Sequence, residues 1–110
     1  MAGYRLSGLA RNDLFDIADY TFETWGEEQA YRYIDDLEAC FRGLAESPGI
    51  GRKCDRLRPG YRRFEHARHV IFCRIDEQKL FISRILHQRM LPRPHLLEDP
   101  DSNPTSTEPR

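Results

Sequence analysis

Between Gly49 and Leu97 the chain carries twelve lysines and arginines against only four carboxylates, Asp55, Glu65, Asp76 and Glu77, a net charge of +8. Arg58, Arg62, Arg74, Arg84 and Arg89 are spread through this stretch, with His87 among them. A guanidinium is a fixed cation whose fork of donors fits a carboxylate or a phosphate. A segment of this kind suits an anionic partner, either nucleic acid or an acidic protein surface. The first 48 residues have the opposite balance, four arginines against ten carboxylates, net -6. The last thirteen carry one arginine against four carboxylates, net -3. The whole-chain charge of -1 therefore hides a strong split. The alternative is that the two halves neutralise each other in the fold, where exposed pairs are worth little.

Other chemistry is sparse. His66, His69, His87 and His95 have no spacing with cysteines or acids that would hold a metal, so each is read as a surface or packing residue. Cys40, Cys54 and Cys73 are odd in number and widely spaced, which fits thiols in a reducing compartment and not a disulfide framework. No cofactor and no metal are expected. No apolar run approaches the roughly 18–20 residues of a membrane span. The start, Met1-Ala2-Gly3-Tyr4-Arg5, lacks a signal peptide's apolar segment, so a cytoplasmic location is expected.

The elements that must position these groups follow from periodicity. Tyr4 to Ser7 reads as a short strand ending at a helix N-cap, Ser7. Ala10, Leu14, Ile17, Ala18, Thr21, Phe22 and Trp25 then recur at helical spacing, which places Trp25 in the core. Asp13, Asp16, Asp19 and Glu23 fall mainly off that stripe, toward water. Gly26 ends the helix. A second stripe, Ala30, Tyr33, Ile34, Leu37, Phe41 and Leu44, follows at once and stops at Ser47-Pro48-Gly49. The pair makes an antiparallel helical hairpin, which needs a sheet to rest on.

Residues 49–60 read as a charged loop, and strands follow at Tyr61–Glu65, His69–Ile75 and Leu80–His87, with Asp76 to Lys79 as a hairpin turn. Period-two alternation puts Leu80, Ile82 and Leu86 on one face of the last strand and Phe81, Ser83, Ile85 and His87 on the other. Arg84 and His87 then lie on opposite faces. The fold class is α+β, in the order β-α-α-β-β-β, with the hairpin packed on a small antiparallel sheet. One domain spans residues 1–97. Prolines at 92, 94, 100, 104 and 109 mark a change of composition, and 98–110 read as a flexible tail. His95-Leu96-Leu97 retain the apolar character to dock on the body.

Five motifs in order resemble the ParE toxins of the RelE/ParE superfamily. They are Tyr4-x-Leu6-Ser7-x-x-Ala10-x-x-Asp13-Leu14-x-x-Ile17-x-x-Tyr20; Trp25-Gly26-x-x-Gln29-Ala30-x-x-Tyr33; Leu44-Ala45-x-x-Pro48-x-Ile50-Gly51-Arg52; Leu57-Arg58-Pro59-Gly60-x-Arg62; and Ile82-x-Arg84-Ile85-Leu86-His87-x-Arg89-Met90. The resemblance implies a toxin of a type II toxin–antitoxin system that inhibits DNA gyrase. It implies a ParD-like ribbon-helix-helix antitoxin in a hetero-oligomer, with DNA touched only through that antitoxin and no membrane partner.

The RelE branch of the same superfamily cleaves mRNA on the ribosome. That reaction needs groups to activate a 2′-hydroxyl, hold phosphate charge and protonate the leaving oxygen. Arg62, Arg84, His87 and Arg89, with Arg74 in reserve, are the candidates here. The tyrosine that RelE-type toxins carry near the end of the last strand is missing, because Gln88, Arg89, Met90 and Leu91 follow His87. A non-enzymatic toxin is therefore expected, with the endoribonuclease and a non-toxic interaction module as alternatives. Tyr20, Tyr31 and Arg32, off the stripes, and Arg58, Arg62 and Arg74 on the basic half are expected to meet the antitoxin. Arg84, His87, Arg89 and Met90 are expected to meet the target. Tyr33 belongs either to the hairpin core or to the antitoxin groove.

Overall fold

The computed structural model describes residues 3–90. Elements run β1 (Tyr4–Leu6), α1 (Gly8–Trp25), α2 (Glu27–Glu46), β2 (Arg52–Lys53), β3 (Arg62–His66), β4 (His69–Asp76) and β5 (Lys79–His87), with one 3-10 turn at Pro48–Ile50. The tail expected at 98–110 and the Leu96-Leu97 pair lie outside the described residues.

The α+β class and the helical hairpin hold. Ser7 caps α1, its Oγ accepting from the Ala10 amide at 2.9 Å. Gly26 sits at φ +99°, a backbone state that suits glycine, and this single residue turns the chain from α1 into α2. Glu27 and Glu28 occupy the first turn of α2, where the helix dipole favours negative charge. Leu37, Phe41 and Leu44 on α2 are fully buried. They pack with Ile71, Cys73, Leu80, Ile82 and Ile85 of β4 and β5 into one core. Burying a side chain of that size removes enough apolar surface to stabilise the fold by about 1.5–3 kcal/mol, so α2 is the main lid of the sheet.

The sheet differs from the expected one in three ways. It has five strands in the order β1-β5-β4-β3-β2, and β1 runs parallel to β5, with Tyr4 opposite Leu80 and Leu6 opposite Ile82. The crossover through two helices lets the first strand return beside the last in that sense. The supposed loop 49–60 contains β2, which pairs with β3 through Arg52 and Lys53. A Cβ on Gly51 would stand 3.3 Å from both the Arg63 carbonyl oxygen and the Leu44 side chain, so the chain passes here because that residue has none. Third, β5 is irregular. Phe72 faces Arg84 while Cys73 faces Ile82, leaving Ser83 without a place in the register. That extra residue moves Ile85 and His87 onto the face of Leu80 and Ile82, contrary to simple alternation. Ile85 joins the helix-side core, and Leu86 joins Tyr61, Val70 and Phe72 on the outer face.

The β4–β5 turn places Glu77 and Gln78 at φ +53° and +67°. Both central residues are left-handed, as the right-handed twist of a two-residue hairpin demands.

Asp13 is the largest departure from the helical wheel. Expected to face water, its side chain is only 12% exposed, and that of its partner Arg84 only 14%. Its carboxylate accepts from Arg84 Nε at 2.8 Å and Nη2 at 2.9 Å, and from the Ile85 amide at 2.9 Å. The reason is topological. Strand β1 covers β5 only as far as Ile82, after which the chain turns into α1. Ser7 takes the next positions, its amide donating to the Ile82 carbonyl at 2.9 Å and its hydroxyl to the Ser83 carbonyl at 2.7 Å. Asp13 takes the amide after that. Removing one partner of a buried charged pair leaves the other uncompensated. Asp13→Ala is therefore expected to cost about 3–5 kcal/mol in urea denaturation; a loss below 1 kcal/mol would show that the pair is not anchoring α1 to β5.

Candidate functional site

A cleft of about 880 Å³ opens where α1 overhangs the C-terminal end of β5. One wall is α1, with Asp16, Tyr20 and Trp25; the other is β5, with Arg84 and His87. Tyr33 and His69 reach in from α2 and β4. Met90, just after β5, also lines it.

Trp25 is 62% exposed, so its expected place in the core is corrected. It is the last residue of α1, beyond the part of the helix that rests on the sheet, and it overhangs the cleft instead. Tyr20 is 61% and Met90 44% exposed on the same cleft. Large apolar side chains left open together on a concave surface mark a place where something docks.

Beneath these side chains lies a cluster of ring systems. The Tyr33 hydroxyl is 2.7 Å from His69 Nδ1. The His69 ring meets His87 edge-on at 5.4 Å, and the Tyr33 ring lies 5.6 Å from His66. Strand register makes the cluster: His66 faces His69 across the β3–β4 turn, and His69 faces His87 across β4 and β5. Burial, with smaller contributions from His87 and His66, pulls the His69 pKa down from 6.5 to about 4. Burial also raises the Tyr33 hydroxyl above its ordinary value. At neutral pH His69 is an uncharged packing group and a weak base. Cys73 is pushed up to about 12, again by burial, and Cys40 and Cys54 are raised as well, which favours the protonated thiol at all three at neutral pH. Among the described residues, no three His, Cys, Asp or Glu side chains are placed to hold a metal ion, and no helix is long and apolar enough to cross a membrane.

The residues named from the sequence divide between places. Tyr20, Arg84, His87 and Met90 meet in the cleft. Arg84 there is bound to Asp13. Tyr31 and Arg32 lie exposed on α2, Arg32 in an ion pair with Glu28 at 3.3 Å. Arg62 donates to the Gly51 carbonyl at 2.8 Å, holding the β2 crossing. Arg74 lies on the outer face, 4.6 Å from the Phe81 ring centre and 3.5 Å from Asp76. Arg58 sits half-buried in the β2–β3 loop, and Arg89 follows β5 in an exposed turn. Arg62 aligns with Cys73 on β4, whereas His87 aligns with His69. Four residues along the strand, about 13 Å, and two strand spacings, about 10 Å, therefore separate Arg62 from His87.

Sequence reading missed Tyr33, His66 and His69 as one group. The signal was present: a two-residue turn at Ala67-Arg68 pairs His66 with His69, and the last strand then supplies His87. Because the folded pKa of His69 lies below its unfolded value, protonation favours the unfolded chain. Its contribution to stability is complete above pH 6.5 and is lost as pH falls from about 6.5 to about 4. Urea midpoints measured across that window should fall, and His69→Gln should flatten the slope; an equally steep slope in the variant would assign it to other groups.

Comparison with known proteins agrees with this architecture. Residues 4–92 match the family model described as ParE toxin of type II toxin-antitoxin system, parDE. Toxin ParE1 of Caulobacter vibrioides is 45% identical over 96 residues, covering 87% of this chain and 99% of that protein. Toxin ParE1 of Mycobacterium tuberculosis is 41% identical over 88 residues, covering 79% and 90%. Among solved structures, a chain of the chromosomal ParDE system from P. aeruginosa superposes with a TM-score of 0.68 at 22% identity, covering 79% of this chain and 96% of that one. A chain of the RelBE2 toxin–antitoxin complex of M. tuberculosis superposes with a TM-score of 0.59 at 21% identity, covering 78% and 96%. The two superpositions speak for the fold.

Proposed function

We propose that this chain, which belongs to the ParE family of type II toxin–antitoxin toxins, acts by binding DNA gyrase without cutting RNA, and that a ParD-like antitoxin neutralises it by seating an apolar segment in the α1 cleft. The observation that carries the second half is the cleft itself, open and rimmed by Tyr20, Trp25 and Met90. An amphipathic helix or extended segment that folds on binding uses such a groove, with its acids left to meet the arginines around it. Tyr31, Arg32, Arg58, Arg62 and Arg74 are proposed as outlying contacts of the same antitoxin. Arg84, His87, Arg89 and Met90 remain proposed target contacts.

Binding in preference to cutting is supported by what surrounds the basic side chains. Cleavage needs a cation free to meet a phosphate and a base tuned near the working pH. Here Arg84 is held by Asp13 and Arg62 by a backbone carbonyl on another part of the sheet. His69 is too weak a base at neutral pH.

Two measurements test the reading. Purified toxin should reduce gyrase supercoiling and raise cleavage complexes. Unaltered supercoiling at excess toxin, together with codon-linked cuts in translated mRNA, would move the protein to the ribonuclease class. Trp25→Ala should weaken antitoxin binding by about 2 kcal/mol, roughly thirtyfold in Kd, as truncation of a central aromatic anchor does. Calorimetry showing wild-type affinity for both Trp25→Ala and Tyr20→Ala would place the antitoxin elsewhere.

A further inference from the structure

The sheet face turned away from the helices carries arginines in a fixed order. Strand register decides which side chains share it. Arg52 on β2 stands beside Arg63 on β3, and Arg63 beside Phe72 on β4. In the next row, about 7 Å along the strands, Arg5 on β1 stands beside Phe81 on β5, and Phe81 beside Arg74 on β4. Four strand spacings, about 19 Å, separate Arg52 from Arg5 across the sheet. The guanidiniums of Arg5 and Arg74 each lie 4.6 Å from the Phe81 ring centre, and that of Arg63 lies 5.7 Å from the Phe72 ring centre. Two carboxylates are shared among the four arginines. Asp76 meets Arg5 at 3.4 Å and Arg74 at 3.5 Å, and Glu65 meets Arg52 at 2.8 Å and Arg63 at 3.0 Å. Two cations share one carboxylate in each case, so each group keeps a surplus positive charge. Lys79, opposite Asp76, is exposed and adds to it.

We propose that this outer face binds the phosphate backbone of duplex DNA, without regard to sequence. What lies beneath the arginines separates this occupant from others. Phe81, Phe72 and Tyr61 are only 1%, 2% and 4% exposed. A protein partner needs apolar side chains open at the centre of its interface, and these are covered. A single strand needs open rings on which its bases stack, and here the rings are already stacked against arginine. A duplex backbone asks only for cations in fixed positions, and the guanidinium fork fits its phosphate oxygens. Arg5 and Arg52 keep half or more of their side chains open to meet it. The whole-chain charge of -1 does not oppose this. The acids of α1 and α2 lie on the far side of the sheet and core, and 0.1 M salt largely screens charges more than about 10 Å apart. The family resemblance implies contact with DNA only through an antitoxin, whereas this face belongs to the chain itself. The proposal rests on neither the gyrase nor the antitoxin reading.

Fluorescence anisotropy of a labelled mixed-sequence DNA duplex, titrated with the full chain and nothing else, tests it. The log of the affinity should fall against the log of salt with a slope of about -3 to -4 between about 50 and 200 mM, as four phosphate contacts require. Arg5→Glu combined with Arg52→Glu should weaken binding by about tenfold or more and flatten the slope by about two. Both side chains are exposed enough for the fold to survive, which circular dichroism checks. Asp76→Asn with Glu65→Gln removes the competing carboxylates and should tighten binding severalfold, a gain that no loss of folding could imitate. Arg42→Glu, on the exposed side of α2, should change nothing. Absence of binding at low salt would overturn the proposal, as would charge-reversed and carboxylate variants that both bind like wild type. Tighter binding of the single strand of the same sequence, or of polyglutamate, would also overturn it, by assigning the face to single-stranded nucleic acid or to an acidic protein.

Discussion

The molecule depends on how the outer edge of β5 is closed. A parallel neighbour, β1, covers that edge for three residues and then leaves it to become α1. An edge abandoned in the middle of a sheet would leave backbone groups without partners in a half-buried place, at a cost comparable to a lost hydrogen bond for each. Ser7 and Asp13 take over in succession, by way of the Ile82 and Ser83 carbonyls and the Ile85 amide. The start of α1 thus substitutes for the missing strand. Its rotation about its axis and its height over the sheet are set by two short side chains that must reach fixed backbone atoms.

The cleft follows from that arrangement. Because α1 is tied to β5 at its N-terminal end, its C-terminal turns project past the sheet with Tyr20 and Trp25 on the overhang. Because α2 fills the middle of the sheet with Leu37, Phe41 and Leu44, α1 has little left to bury and can leave aromatic surface open. The floor is closed by uncharged groups, with His69 kept neutral and Tyr33 beside it. The outer face of the sheet carries a different kind of surface. There Arg5 and Arg74 lie over Phe81, each with Asp76 as ion-pair partner. The basic half of the chain is therefore spent partly within the fold and is not one continuous patch.

How much of this can be read from the sequence depends on the range of each interaction. The helices are local, and Ser7, Gly26 and the stripe Ala30, Leu37, Phe41 and Leu44 mark them where they stand. Asp13 is illegible locally, because a carboxylate on a helix normally faces water and its partners lie 71 and 72 residues away. The surplus residue in β5 is illegible for a related reason. Alternation counted along one strand assumes that no residue is skipped in the partner's register, and Ser83 is. Tyr20, Arg84, His87 and Met90 could each be singled out on separate grounds, but only the tertiary fold places them around one opening. Trp25 failed in the other direction: its spacing is correct for the core, yet helical spacing does not tell where the sheet ends.

The pairing of the first strand with the last also sets a timetable. The hydrogen bonds that seat α1 join residues separated by more than seventy positions, so chain closure must come before them and they form late. During synthesis the two helices emerge first, with their apolar stripes and nothing to cover them. Neither the edge that Ser7 and Asp13 complete nor the wall that His87 provides exists until nearly all of the described chain has left the ribosome. The cleft can therefore close only after the last strand is available, however early its helical wall is made.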